Sequence, residues 1–406
     1  MRVYLTLTLL SNLSFSMIWG INTLFLLDAG LSNAAAFTAN ALYSAGQFVF
    51  EVPTGVVADT RGRRASFLWG SATLIAATLL YLLMWQLRAS LWGWGLASIL
   101  LGLGFTFFSG ATEAWLVDAL HHTGFDGALE SVFSRGQIVS GGAMLAGSVA
   151  GGFIAEATNL GVPYLIRAAL LVVAFAFAFR MMQDLGFTPG RSGDVWQEVK
   201  NVVAGAVESG WGSPPVRWLM LSAPFLSGIG FYAFYAAQPY LLQLYGDESA
   251  FGVAGLMAAL YALAQIGGGA IVPKVRRWFP RRTWYLITMA ALSTVAIAIL
   301  GLTRNFWVAL IFVSAWAVFY TMSTPVRQAF INGCIPSERR ATVLSLDNLM
   351  SAGGSALAQP GLGRVADASG YPASYLLSAG VQTLALPFLW LARRENSPGD
   401  VVDQDA

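Results

Sequence analysis

A few ionisable side chains lie inside long apolar stretches of this chain, chiefly Glu51, Glu113, Arg135, Arg327 and Asp347. A charge in such surroundings is costly and normally faces protein or water. Burial raises a carboxyl pKa, so a carboxylate there can exchange protons near neutral pH. Glu51 suits that role, about six residues or roughly 9 Å above the nearer end of its apolar run. Its other reading is a hydrogen-bonded helix contact beside a kink at Pro53. Glu113 is the second candidate. Glu113 and Arg135 fall at similar depth and read as an ion pair that locks two helices. Arg327 and Asp347 read as the same pair with its sign inverted. If Arg135 faces elsewhere, Glu51 and Glu113 share one proton and titrate together. Glu156 and Arg167 flank a turn and read as an interfacial pair, and Asp28 as an exposed residue at a helix end.

Other chemistries find little support. His121 and His122 sit in a short polar loop without metal-ligand spacing. The single cysteine, Cys334, excludes an internal disulfide and points away from a metal cluster. There is no nucleotide-binding glycine loop, zinc motif or Ser/His/Asp set. No enzyme activity, cofactor or metal is expected.

The elements that must hold these charges are membrane helices. Of 406 residues, 56% are hydrophobic and 11% charged, with a mean hydropathy of +0.62; a soluble domain carries about a quarter charged residues. Twelve stretches approach the ~20 apolar residues a span needs. They run near 4–27, 35–57, 66–87, 91–117, 133–156 and 162–182, then 217–243, 251–273, 284–303, 306–331, 342–366 and 372–392. The first is too long for a cleaved signal peptide. With the N-terminus inside, 17 of the 23 Lys and Arg are cytoplasmic; Arg88, Arg304 and Arg364 are outside, and Arg135, Arg167 and Arg327 lie within spans. That bias puts both termini in the cytoplasm. A net charge of +2 gives no reason to expect nucleic acid as a partner.

The chain also repeats itself. Thr112 aligns with Thr324, and Gly141-Gly142 with Gly353-Gly354, at one offset. Gly55 and Arg63-Arg64 find echoes in Gly269 and Arg281-Arg282. The expected fold is therefore an all-α membrane protein of twelve transmembrane helices in two pseudo-symmetric six-helix bundles, related by an axis along the membrane normal. The boundaries are 1–182 and 216–395 for the bundles and 183–215 for a cytoplasmic linker. The remaining residues, 396–406, read as a disordered acidic tail. Within the linker, Val195, Val199, Val202, Val203 and Val207 recur at helical spacing, as in an amphipathic helix lying on a membrane.

One segment is more specific than composition. Gly55-Val56-Val57-Ala58-Asp59-Thr60-Arg61-Gly62-Arg63-Arg64 closes the second apolar stretch and precedes the third. Gly55 allows close backbone approach, Gly62 a sharp turn, and Asp59 an anion facing a helix N-terminus. The arginines alone could be topology signals. The segment resembles the loop between spans 2 and 3 of major facilitator superfamily transporters, G-x-x-x-D-x-x-G-R-[RK], and every fixed position matches. Gly147-Ser148-Val149-Ala150-Gly151-Gly152 is similar to the antiporter pattern G-P-x-x-G-G, with Ser148 at the proline. Ser98 stands where drug antiporters carry an arginine before Gly102. Glu51 to Gly55 and Glu113 to Asp118 resemble a bacterial exporter-like branch.

The resemblance implies a central cavity lined by spans 1, 4, 7 and 10, worked by alternating access. It also implies a conformational lock of Gly55, Asp59, Gly62, Arg63, Arg64 and Asp118, with Arg63 on Asp118 and Asp59 capping span 11 near residues 341–344. Gly147, Gly151 and Gly152 would pack the bundles together. The cavity residues expected are Trp19, Asn22, Tyr232, Tyr235, Gln238, Tyr320, Thr324 and Gln328, unless the aromatics serve as belts and packing. Aromatic residues with few fixed charges suit amphipathic or cationic organic molecules. The expected function is a monomeric, proton-coupled antiporter in the cell (inner or plasma) membrane, exporting small organic compounds, with protons and the lipid bilayer as further partners. An uptake carrier, and a receptor or sensor on a transporter fold, are the alternatives.

Overall fold

A computed structural model describes residues 1–108, 111–127, 129–187, 211–335 and 340–401. The amphipathic segment expected in the linker lies outside them. Among the described residues every regular element is helical, apart from an isolated bridge between Arg281 and Val401. The helices are α1 (Arg2–Ser16), α2 (Asn22–Asp28), α3 (Asn33–Arg61), α4 (Arg63–Leu87), α5 (Leu91–Thr106), α6 (Ala111–His122), α7 (Leu129–Ala157) and α8 (Gly161–Met181). They continue with α9 (Pro214–Tyr245), α10 (Phe251–Arg276), α11 (Arg282–Leu302), α12 (Phe306–Cys334), α13 (Arg340–Thr383, broken at Gly370 with φ 80°) and α14 (Ala385–Arg394). A 3-10 turn, Pro398–Asp400, follows.

Nine helical runs among the described residues are long and apolar enough to cross a membrane. The first expected span is not among them because it breaks at Met17–Ile21, leaving α1 and α2 too short. The second, α3, has the length but is diluted by polar residues such as Asn40, Ser44, Gln47 and Glu51. The last two expected spans form a single run from Leu346 to Arg394. Apolar side chains such as Trp92, Leu96, Leu79 and Val295 face outward, as expected of surfaces solvated by lipid.

The chain divides into two compact units. Unit 1 holds residues 1–31, 42–195 and 247–259; unit 2 holds 32–41, 196–246 and 260–406. These differ from a clean cut at the linker, because a short piece of each half belongs to the other half's unit. In unit 1, Tyr4, Leu7, Phe67, Trp115, Leu116 and Val132 form a core around α1, α4, α6 and α7. Gly46 and Gly102 let α3 and α5 touch: a methyl on Gly102 would meet Gln47 N at 2.7 Å. In unit 2, Leu219, Met220, Tyr285, Met289, Phe330 and Val343 form the equivalent core. Pro53, Pro224, Pro239, Pro273, Pro325 and Pro360 stand inside helices, tolerated where neighbours re-satisfy the freed carbonyls. Beside Pro53, the Thr54 hydroxyl donates to the Phe50 carbonyl at 2.8 Å.

Candidate functional site

The motif loop joins α3 to α4. Gly62 has φ +100°, in the left-handed region that a side chain disfavours. Asp59 ion-pairs with Arg63, four residues on across the Gly62 turn, at 2.6 Å. The expected partner of Arg63, Asp118, is not engaged. Arg63 opens α4 directly across the Gly62 turn, which leaves Asp59 in the last turn of α3 within its reach. No methyl-sized contact surrounds Gly55 within 4 Å, so it does not serve the close approach expected of it. The cap of Asp59 on residues 341–344 falls partly outside the described residues.

The residue that finishes this corner is Asp184, which sequence reasoning passed over. Its Oδ1 accepts from the Arg64 amide at 2.8 Å, capping the start of α4, where unpaired N–H groups and the helix dipole favour an anion. Arg64 Nη2 donates to the Phe179 carbonyl at 2.6 Å, and its guanidinium lies 5.2 Å from the Phe179 ring centre. Residues 183–187 thus form a strap. The Gln183 carbonyl accepts from Trp115 Nε1 at 2.7 Å, and Gly186 lies against the Asp118 carbonyl.

Unit 2 has a strap of the same design. Asp400 accepts from the Thr283 amide and hydroxyl, both at 2.7 Å, at the start of α11. The Arg282 guanidinium donates to the Gly399 carbonyl, and Ser397 lies 2.9 Å from Cys334 Sγ. The tail expected to be disordered is therefore ordered as far as Val401, because it satisfies the open N-terminus of α11. The sequence offered only a partial signal: an aspartate within two residues of a glycine follows the last helix of each half, Asp184 before Gly186 and Asp400 after Gly399.

The charges distribute unevenly. Arg327 on α12 binds Asp347 on α13 through Nε at 2.9 Å and Nη2 at 2.5 Å. It also donates to Ser222 Oγ at 3.1 Å and the Leu219 carbonyl at 2.9 Å. Glu113 and Arg135 do not repeat this. No ion pair joins them among the described residues, and both are exposed. Glu113 instead occupies the first turn of α6, a favourable place for a carboxylate. Glu51 is exposed on α3.

A cavity of about 60 Å³ lies beside Arg327 in unit 2, lined by Tyr320, Ser323, Thr324, Ser293 and Gln382 among others. That is room for a few water molecules. Of the expected cavity residues, Tyr320 and Thr324 line it, whereas Gln328 does not. Tyr232 and Gln238 are fully buried, and the Tyr232 hydroxyl donates to Ser374 at 2.5 Å. Tyr235 is half-buried, packed edge-on against Phe234. Trp19 lies in the α1–α2 break, and Asn22 accepts from the Tyr164 hydroxyl at 3.0 Å.

Gly147 and Gly151 pack against α1 and the Met17 carbonyl of their own half. Only Gly152 meets a helix of the second half, with Gly255 Cα 2.9 Å from where its methyl would stand. Beside it, Glu156 accepts from the Gly252 amide at 2.8 Å at the start of α10. The counterpart in unit 2 is Asp367, which accepts from the amides of Asn33 at 2.8 Å and Ala34 at 2.9 Å at the start of α3.

Glu156 is thus occupied away from Arg167, and the expected interfacial pair does not form. Arg167 lies six residues, about 9 Å, inside the start of α8. It is 1% exposed, and Nε donates to Thr78 Oγ1 at 3.1 Å.

The family model described as Major Facilitator Superfamily matches residues 4–359, with a second match over 220–406. The chain belongs to that superfamily. Solved structures with similar folds include the nucleoside transporter NupG (TM-score 0.70, 13% identity, 96% of this chain and 99% of that one). The POT family transporter PepTSo is similar over 97% of each chain (TM-score 0.73, 14% identity). A D-xylose–proton symporter is similar over 96% of each (TM-score 0.67, 16% identity). Among proteins of curated function, the sequence finds no match. The protein is a multi-pass membrane transporter of the major facilitator type.

Proposed function

We propose that this transporter is a proton-coupled exporter of small amphipathic organic compounds, working by alternating access through twelve spans. The observation that carries the reading is the superfamily match over residues 4–359. Polar groups inside the apolar interior support it: Arg327, Asp347 and the cavity beside them belong to the class of intramembrane charge that usually marks transport pathways. The basic ends of α3, α4, α10 and α11 face the cytoplasm on this reading, in the inner or plasma membrane, and the protein acts as a monomer. Of the charge classes the sequence allowed, amphipathic cargo fits better than cationic cargo, because unit 1 already buries a guanidinium without a carboxylate.

Glu51 is the coupling carboxylate of this proposal and Glu113 its alternate. Both are exposed on helices of unit 1, where protons have access. The test is uphill transport against counterflow in proteoliposomes, with cargo chosen by thermal-shift screening. Glu51→Gln is expected to lose accumulation driven by a pH gradient and to retain exchange, which needs no net protonation cycle. Full gradient-driven transport by Glu51→Gln removes Glu51 from the mechanism. Accumulation inside intact cells that an uncoupler abolishes would assign uptake instead of export.

A further inference from the structure

Arg167 is the only fully buried charged side chain among the described residues of unit 1. A buried cation normally has a carboxylate, and Arg327 in unit 2 has one. Among the described residues, no carboxylate lies within ion-pair distance of Arg167. Nε has Thr78, but Nη2 is buried and makes no hydrogen bond. A guanidinium left this way bears most of its desolvation penalty uncompensated.

Its surroundings have the form of a binding site. The guanidinium lies 5.9 Å from the Phe15 ring centre and 5.7 Å from that of Phe105. Phe15 is the penultimate residue of α1, just before the break at 17–21, and Phe105 is the penultimate residue of α5. The last turns of α1 and α5 therefore lie beside the same arginine. A helix interrupted near a buried polar group, as α1–α2 is at 17–21, is how transporter folds build substrate sites in the membrane. The C-terminal dipoles of α1 and α5, with the two aromatic faces, offset part of the charge. Neither supplies the planar pair of acceptors that a guanidinium fork fits.

We propose that Arg167 is the anion-recognition residue of this transporter and that its cargo carries a carboxylate on a small apolar or aromatic body. The carboxylate would accept from Nη2, and the body would lie against Phe15 and Phe105. This deepens the transport reading and rests on it.

The test uses the full chain in lipid nanodiscs, in chloride-free buffer at constant ionic strength. Benzoate, benzamide and benzylammonium are titrated while the melting temperature is followed. Benzoate is expected to stabilise the wild type, with the other two at least tenfold weaker. Arg167→Gln should lose at least tenfold in apparent benzoate affinity, while its unliganded melting temperature stays level or rises. Arg167→Lys should keep part of the affinity. If Arg167→Gln does not fold, Phe105→Leu serves: it leaves the guanidinium but removes a wall, and should weaken benzoate severalfold without altering the charge preference. Equal responses to benzoate and benzamide in the wild type, or unchanged benzoate affinity in Phe105→Leu, overturn the proposal. Stabilisation by chloride that matches benzoate overturns it in favour of an inorganic-anion site. In proteoliposomes, transport of another cargo with no benzoate response sinks this inference alone. Benzoate bound but not moved sinks the transport reading and leaves the site.

Discussion

Arg327 and Arg167 both place a guanidinium in the apolar interior, yet their surroundings are opposite. Arg327 binds both oxygens of Asp347 and also reaches Ser222 and the Leu219 carbonyl. Its charge is neutralised by its own chain, and α9, α12 and α13 are tied at one point. Arg167 has a threonine hydroxyl and two aromatic faces. The first arrangement spends the charge on structure. The second leaves a donor unsatisfied, and each such group in a native protein calls for an explanation. The same residue type inside an apolar helix can therefore mean a brace in one unit and a receptor for charge in the other.

The largest expected effect comes from breaking the brace. Asp347→Ala strands Arg327 in the interior and should destabilise unit 2 by about 3 kcal/mol, since removal of one partner leaves an uncompensated charge. Thermal unfolding in a fixed detergent checks this. The double variant Arg327→Met with Asp347→Leu should recover most of the loss. If the double variant is no better than the single one, Arg327 is not held by charge pairing.

Next in size are the straps, which are alike where the arginines differ. Asp400→Ala and Asp184→Ala each remove a cap from a helix N-terminus, and each should lower stability by about 1–2 kcal/mol. Deletion after Asn396 should match Asp400→Ala. A deletion that leaves the melting temperature unchanged would show that the tail contributes nothing to α11.

Arg167→Met sharpens the contrast directly. Without ligand it should be stabilising by about 1 kcal/mol, because it removes an unpaired buried charge and keeps the volume. A loss as large as that of Asp347→Ala would mean that Arg167 is braced too.

The membrane class and the positions of most helices were legible, because apolar length and the Lys/Arg bias report on lipid directly. The Arg327–Asp347 pair was legible through depth and the internal repeat. Depth alone then misled for Glu113 and Arg135, which share a level but not a facing direction. Nearness in sequence misled for Glu156 and Arg167. They flank one turn, but α8 carries Arg167 inward while Glu156 caps α10. The straps went unread because a cap is a tertiary contact, and nothing in the pattern around Asp184 or Asp400 says which helix end is open. The break between α1 and α2 went unread because its residues are as apolar as a continuous span.

The smallest expected effect on stability is in the motif loop, and there it is most informative. Asp59 and Arg63 form an exposed i,i+4 pair, the kind that contributes about 0.3–0.5 kcal/mol. Asp59→Asn should barely move the melting temperature, because Asp184 still caps α4. If this loop is the conformational lock implied by its motif, Asp59→Asn should nevertheless slow turnover severalfold with cargo affinity unchanged. The two readouts belong on one preparation: unfolding temperature for the fold, and counterflow rate for the cycle. A slower rate at constant stability assigns the carboxylate to the change between states. A parallel loss of both assigns it to the fold. Unchanged rates in Asp59→Asn and in Arg63→Ala would remove the lock, leaving Asp184 as the carboxylate that organises this corner.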